Sequence, residues 1–312
     1  MSSEFNLDTS GSKEFSNTGS IKHHYIPQFY LKGFCRNDGK FEVYDKKYGK
    51  FNKAPQSPAI VFFEPRRNNI KYQGRTTDII EKLYSEIEAN LAKLFQLIQS
   101  GASQDRILEP AGVHLLKTYI AIQFWRLPRL DAFADSYLAR LTIEQVAHHC
   151  TVTNPPLPPE KIHALLKTDV GFRKFYRSFL LPHATFDLSG RIPDDMEWSI
   201  LDVEVGSGWA NHLCTDTPFI FDDPSSFMLF TAPFIFPLTN SRLLVGRRRT
   251  PTSVSFEPII STKISLLSYI QTDRYVVTAD KSYLEKLMDF LDLYSGPSGI
   301  LRLQREVLRM LG

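Results

Sequence analysis

The sequence predicts an α+β fold that is helix-rich and has a mainly antiparallel sheet. Long helical patterns follow a hairpin pattern in the first half of the chain, and the period of the apolar residues changes to two between about residues 198 and 248. Helical patterns return at the end. Strands and helices alternate too rarely for a doubly wound sheet, so the strands should pair antiparallel.

The N-terminal β-hairpin is predicted from alternation at Phe41 and Val43, a turn at Lys47–Gly49 and a second strand at Phe51. It follows the stretch "IKHHYIPQFYLKGF", where Pro27 suits a first helical turn and the aromatic residues supply an anchoring surface. We interpret this stretch as the entrance to the folded domain.

Long helices are predicted next, because apolar residues recur at helical spacing. Asp78 or Thr77 can cap the first helix and Gly101 can end it. The predicted helices cover 78–100, 110–125, 128–148, 281–293 and 298–311.

The domain boundaries follow from composition. Residues 1–20 have no apolar segment and are expected to be a disordered leader, and residues 21–312 are expected to form a single α+β domain. Residues 151–160 hold four prolines and predict a stiff connector. This connector is either a loop inside one helical layer or a seam between two subdomains.

Composition restricts the class of protein only in part. The 312 residues are 43% hydrophobic, which is enough for a large core, and the net charge of +3 selects no partner class. Cys35, Cys150 and Cys214 form no CxxC pair, so a reducing cytoplasm is expected, without a disulfide framework. The longest apolar run is short and contains prolines, so no membrane span is predicted.

Two carboxylates, Glu81 and Glu88, lie at the border of the apolar stripe of the first long helix. Seven residues apart, they can point toward one cavity and hold Mg²⁺ or Mn²⁺ as metal ligands, or position a proton. The alternative is a solvated helix edge.

Gln123 and Arg126 fall within or beside the apolar stripe of the next helix, in "QFWRLP". Burying an amide or a guanidinium without partners is costly, so both need a carbonyl, a carboxylate or a ligand. A structural alternative remains open, in which Arg126 pairs with Glu81 or Glu88 and ties the helix to its neighbours.

Asp216 and His24 complete the candidate set. Asp216 follows a strand in "CTDTPFIF", where a carboxylate can face a ligand or cap the turn. His24 precedes the first helix, where its ring can cap the backbone or face an acidic cavity next to Arg126. His23 is expected to be solvated.

These motifs, in this order, resemble those of the domain-of-unknown-function family 4238. The resemblance rests on "HYIPQFYLKGF", "KFEVYDKKYGK", "IEKLYSEIE", "QFWRLP", "CTDTPFIF" and "FPLT". The family has HYIP, QxxRTP and TSDNP patterns, and the positions that match them are His24, Pro27, Gln123, Arg126, Pro128, Asp216 and Pro218. Leu127, Cys214, Thr215 and Thr217 depart from these patterns. The resemblance implies no activity.

Competing functional hypotheses follow. In an enzyme, His24, Gln123, Arg126 and Asp216 would be catalytic, and Glu81, Glu88 and Asp216 would bind the metal. This set suits a metal-dependent nuclease or phosphodiesterase acting on nucleic acid or a nucleotide, in bacterial defence or on mobile elements. The alternatives are a non-catalytic protein-interaction or ligand-binding module with a buried polar network, and a metal-free nucleotide or small-molecule sensor that uses Arg126.

Overall fold

The computed structural model describes residues 21–72, 75–203, 211–249 and 258–309. The α+β prediction is confirmed: the described residues form twelve α-helices and twelve strands. The helices are α1 Gln28–Leu31, α2 Ile79–Gln99, α3 Gln104–Ile107, α4 Pro110–Arg126, α5 Asp131–Arg140, α6 Ile143–Thr153, α7 Pro159–Thr168, α8 Val170–Thr185, α9 Pro224–Met228, α10 Pro258–Gln271, α11 Lys281–Met288 and α12 Gly296–Arg309. Short 3₁₀ turns lie at Lys32–Phe34, Pro58–Ile60, Pro128–Leu130 and Leu291–Tyr294.

The strands form four sheets, not the one that was expected. They are β1 Lys22–His24, β2 Glu42–Asp45, β3 Lys50–Phe51, β4 Phe63–Pro65, β5 Ile70–Tyr72, β6 Arg75–Thr77, β7 Met196–Asp202, β8 Cys214–Thr215, β9 Ile220–Phe221, β10 Phe234–Pro237, β11 Arg242–Arg248 and β12 Tyr275–Thr278. The four-stranded sheets have the orders β7-β11-β10-β9 and β3-β2-β12-β8, and β1-β4 and β5-β6 form pairs. All of these pairings are antiparallel.

The β7-β11-β10-β9 sheet is buried on both faces, because helices cover it from both sides. Along β10, Phe234 and Phe236 belong to the larger core, which also holds residues of α2, α4 and α8, whereas Ile235 belongs to a second core with α10, α11 and α12. This alternation follows from the two-residue period of a strand. Burial on both faces explains why "FIFP" has no polar side chain.

The predicted hairpin is confirmed by β2 and β3, which pair Tyr44 with Phe51. Its other neighbour is β12, from near the end of the chain, which the sequence did not indicate. Strands β12 and β2 pair at four positions, from Tyr275–Asp45 to Thr278–Glu42. The hairpin is therefore part of a sheet built from distant segments.

The predicted helix 128–148 is wrong, because the structure divides it into α5 and α6. Thr142 interrupts it: its hydroxyl accepts from the N–H of Gln145, whose side chain accepts from the N–H of Thr142. This reciprocal capping box starts a new helix and outweighs the helical spacing of the apolar residues.

Residues 154–158 form the loop between α6 and α7, which pack against each other. One core includes Val146 before this loop and Leu165 after it. The predicted leader at residues 1–20 lies outside the described residues. Within the described ranges, no helix combines the length and the apolar character that crossing a bilayer requires.

Candidate functional site

The candidate site is built around the segment Trp125–Asp131, here called the crossing segment. Helix α4 ends at Arg126, because Pro128 favours an extended Leu127, which has φ −64° and ψ 131°. This ending leaves the carbonyl groups of Trp125 and Arg126 without partners in the helix, whereas that of Leu127 accepts from the N–H of Leu130 in the following turn. Two arginines from other elements bind them.

Arg177 of α8 is the main anchor of the crossing segment. Its Nε donates to the carbonyl of Trp125 at 2.6 Å and its Nη2 to that of Leu127 at 3.0 Å. Its Nη1 donates to Asp131 Oδ1 at 2.6 Å. All three guanidinium nitrogens therefore bind the crossing segment.

Arg67 binds the same segment from the turn between β4 and β5. It donates to Asp131 Oδ1 at 2.6 Å and Oδ2 at 2.9 Å, and its Nη2 lies 3.3 Å from the carbonyl oxygen of Arg126. It also pairs with Glu64 at 2.7 Å. Asp131 is shared between two arginines, which together lower the pKa of its carboxyl against the effect of burial.

A cavity of about 220 Å³ lies beside these groups and is called the arginine cavity. Four cationic side chains line it, together with two carboxylates. They are Arg67, Arg126, Lys174, Arg177, Glu64 and Asp131. The lining itself carries four positive and two negative charges, and Glu81 and Glu88, which contact Arg126 from outside the lining, balance the other two.

Arg126 lies at the centre of a buried polar network. Its Nη1 donates to Glu88 Oε1 at 2.5 Å, Glu81 Oε1 is 4.0 Å from its Nη2, and its guanidinium stacks 4.2 Å from the centre of the Tyr84 ring. Burial opposes the charge, but Glu88, Tyr84 and Glu81 together raise the pKa of Arg126. The structural alternative, in which Arg126 pairs with Glu81 or Glu88, is therefore observed, with Glu88 as the hydrogen-bonded partner.

His23 is buried, with 0% exposure, so the expectation that it is solvated was wrong. Its Nδ1 accepts from the backbone N–H of Asn68 at 2.9 Å, and the Asn68 side chain donates to Glu81. Because Nδ1 is an acceptor in this bond, the 3.8 Å approach of Glu81 to the same atom is not a salt bridge. Asn68 thus joins His23 to the arginine network.

His24 lies close to the same network and is 8% exposed. Burial first, and the charge of Arg126 second, lower its pKa to about 4, whereas backbone hydrogen bonds at Pro58 and Ala59 act in the opposite direction. Its ring packs 5.7 Å from the ring of Phe63. The structure therefore places a neutral imidazole beside Arg126 at neutral pH.

Gln123 ties α4 to the N-terminal segment. Its Nε2 donates to the carbonyl of Tyr25 at 2.8 Å, and it is 1% exposed. Its Oε1 and the nearby Tyr119 hydroxyl have no hydrogen-bond partner among the described residues. The structural role considered for Gln123 is thus observed.

Asp216 has a different environment from the other candidates. Its Oδ1 accepts from the N–H of Asp273 at 3.0 Å, and its Oδ2 accepts from those of Arg274 at 2.7 Å and Tyr275 at 3.1 Å. Burial raises the pKa of its carboxyl, and these three N–H groups oppose the rise. Asp216 holds the turn between α10 and β12.

The structure thus joins Glu81, Glu88 and Arg126 but gives Asp216 separate partners. Among the described residues, no group of three or more His, Cys, Asp or Glu side chains could hold a metal ion. The expected ligand set of Glu81, Glu88 and Asp216 is therefore not formed, because Arg126 engages the glutamates and backbone N–H groups engage the aspartate.

Sequence reasoning missed several residues of this site, above all Lys174 and Arg177. Both lie on α8 within "FRKFYRSF", where basic and aromatic residues alternate at helical spacing. That pattern is typical of a solvated amphipathic helix. The i, i+3 spacing of the two side chains was the one available signal.

Comparison with known proteins places the chain in a family. The family described as protein of unknown function (DUF4238) matches residues 22–281, so the chain belongs to this family. The resemblance seen in the motifs is confirmed. No curated protein and no solved structure matches the chain.

Proposed function

We propose that the protein is a metal-independent, non-catalytic binder of a phosphorylated small molecule or nucleotide, and that the arginine cavity is its binding site. The observation that carries the proposal is that Lys174, which lines this cavity, has no carboxylate partner among the described residues. Guanidinium groups match the geometry of phosphate oxygens, and a lysine ammonium adds a point charge.

Lys174 is the cation best placed for a ligand. Its Nζ donates to the carbonyl of Asn69 at 3.3 Å, and it makes no ion pair with a described residue. Burial lowers its pKa, and Arg67 lowers it further. A bound phosphoryl group would relieve this repulsion, whereas Arg67 and Arg177 are held by carboxylates and carbonyls.

Arg126 supplies a second available donor. Its Nε is buried and has no hydrogen-bond partner among the described residues. An unsatisfied buried donor of a charged group is costly, so an acceptor from a ligand would stabilise it. A phosphoryl group in a cavity of this size meets this need.

Binding can be tested by isothermal titration calorimetry with inorganic phosphate, adenosine 5′-monophosphate and adenosine, each with Mg²⁺ or with EDTA. We expect saturable binding of the two phosphates, no binding of adenosine, and no dependence on Mg²⁺. Lys174→Met should weaken binding by about tenfold, the size of one charge-assisted hydrogen bond.

The matched control is Lys161→Met, which removes an exposed lysine from the neighbouring helix α7. It should leave the affinity within about twofold of the original value. Equal loss in both variants would show a general effect of net charge and would refute the proposed site, as would the absence of phosphate binding.

The metal-dependent nuclease or phosphodiesterase, with a defence or mobile-element role, is the second candidate. The neutral His24 beside Arg126 favours it, because an acid or base next to a phosphate-binding arginine suits phosphodiester cleavage. The cytoplasmic location and a nucleic-acid partner belong to the same proposal.

This candidate is tested with labelled single- and double-stranded DNA and RNA in Mg²⁺, Mn²⁺ or EDTA. Cleavage that requires the metal and is lost in folded His24→Gln would replace the binding proposal by the enzymatic one. Intact oligonucleotides under all conditions would remove the nuclease hypothesis.

A further inference from the structure

The opposite side of the crossing segment carries a second cavity of about 390 Å³, here called the apolar groove. Aromatic and aliphatic side chains form its walls. The main ones are Phe124, Leu127, Leu130, Phe133, Phe219 and Phe221. This volume and this lining are typical of sites for small organic molecules.

Two of the sequence motifs quoted above meet at this groove. "QFWRLP" contributes Phe124 and Leu127, and "CTDTPFIF" contributes Thr217, Phe219 and Phe221. The second motif passes here from β8 in one four-stranded sheet to β9 in the other. The groove therefore lies where the chain connects the two sheets to the crossing segment.

The polar groups at the groove are few and are arranged for a ligand. Arg129 is exposed, its Nη1 lies 3.4 Å from the carbonyl oxygen of Gln271, and it makes no ion pair with a described residue. The side-chain Oε1 of Gln271 is buried without a hydrogen-bond partner among the described residues. That oxygen is not open to the groove, so Arg129 is the polar group left for an occupant.

We propose that the apolar groove binds a small amphiphilic acid, with an aryl or acyl body and a terminal carboxylate. The body would pack on Phe133 and Phe219, and the carboxylate would pair with Arg129. This site is separate from the arginine cavity and does not depend on the function proposed there.

The half-exposed Phe133 supports this assignment. It is 50% exposed, although its ring stacks on Trp125 with 6.1 Å between the ring centres. Its ring also packs on Tyr137, with 6.0 Å between the ring centres, and the exposed half of the side chain leaves apolar surface that a ligand can cover. The carboxylate accounts for the positive charge at Arg129, which a purely apolar occupant would leave unpaired.

The test compares two probes by calorimetry: N-acetyltryptophan, which carries ring, N–H and carboxylate, and N-acetyltryptophanamide, which lacks the carboxylate. We expect the acid to bind at one site per chain, more tightly than the amide. Arg129→Met should weaken the acid about tenfold and leave the amide within about twofold. Phe133→Ala should weaken both probes.

Two control variants locate the effect. Arg140→Met removes an exposed arginine from the far end of α5, the helix that follows Arg129, and should change neither affinity. Lys174→Met, which tests the arginine cavity, should also leave the binding of the acid unchanged. The proposal is overturned if neither probe saturates at millimolar concentration, if acid and amide bind equally, or if Arg140→Met weakens the acid as much as Arg129→Met does.

Discussion

The two sides of the crossing segment differ in how many of their charged and apolar side chains have partners within the protein. On the arginine side, Arg67 and Arg177 bind carboxylates and backbone carbonyls within 2.6–3.3 Å. On the groove side, Phe133 and Arg129 remain exposed and few protein groups engage them. The comparison teaches that charge alone does not mark a ligand site; groups without protein partners mark it.

The largest expected effect is that of Arg177→Met. The substitution removes three hydrogen bonds of a buried guanidinium, to the carbonyls of Trp125 and Leu127 and to the carboxylate of Asp131, so the free energy of unfolding should fall by roughly 3 kcal/mol. Urea denaturation followed by circular dichroism measures this loss.

Arg305→Met is the control, because Arg305 is exposed on α12 and its loss should change stability by less than about 0.5 kcal/mol. If Arg177→Met lowered the free energy of unfolding as little as Arg305→Met, Arg177 would not be the structural anchor described above. The contrast drawn between the two sides of the crossing segment would then be wrong.

Asp216→Asn comes next and tests the turn between α10 and β12. The carboxylate binds three backbone N–H groups, whereas an amide offers one acceptor and places an NH₂ group against a donor, which should cost about 2 kcal/mol. Asp222→Asn, at an exposed aspartate of the same segment, should be close to neutral. Equal stabilities of the two variants would contradict the role given to Asp216.

A smaller effect concerns pH. The pKa of His24 is about 4 in the folded protein and near 6.5 in the unfolded chain. Between pH 4 and pH 6.5, the unfolded chain therefore binds a proton that the folded protein does not. Stability should therefore be lost as the pH falls through this window. At pH 5 the loss from this residue should be about 1 to 2 kcal/mol relative to pH 7.5.

His24→Gln should reduce this pH dependence, measured as the difference between urea-unfolding free energies at pH 7.5 and pH 5. His148→Gln, at an exposed histidine of α6, should retain the full dependence. If His24→Gln left the difference between the two unfolding free energies unchanged, the imidazole would lie outside the buried network.

The smallest expected effect on stability is that of Phe133→Ala, at less than about 1 kcal/mol, because half of the side chain is exposed. Phe124→Ala, in the same groove but 5% exposed, should cost about 3 kcal/mol or more. Similar losses would mean that Phe133 contributes to the core and is not held available for a ligand.

The sequence predicted the fold class, the hairpin and the buried state of Gln123 and Arg126, because apolar period and polar residues within an apolar stripe are local signals. The sequence could not assign hydrogen-bond or ion-pair partners to the polar residues. Arg177 and Asp131 are 46 residues apart and meet only through the packing of α8 on α4. The role of Asp216 depends on residues 57 to 59 positions later, which no local pattern connects to it.

The pairing of β12 with β2 has a consequence for biosynthesis. Asp45 on β2 and Arg274 beside β12 are 229 residues apart, so the hairpin leaves the ribosome long before its neighbour strand exists. Until then β2 presents an open hydrogen-bonding edge, which invites pairing with other chains. Nascent or truncated chains that end before Tyr275 should therefore aggregate through this edge and depend on chaperones.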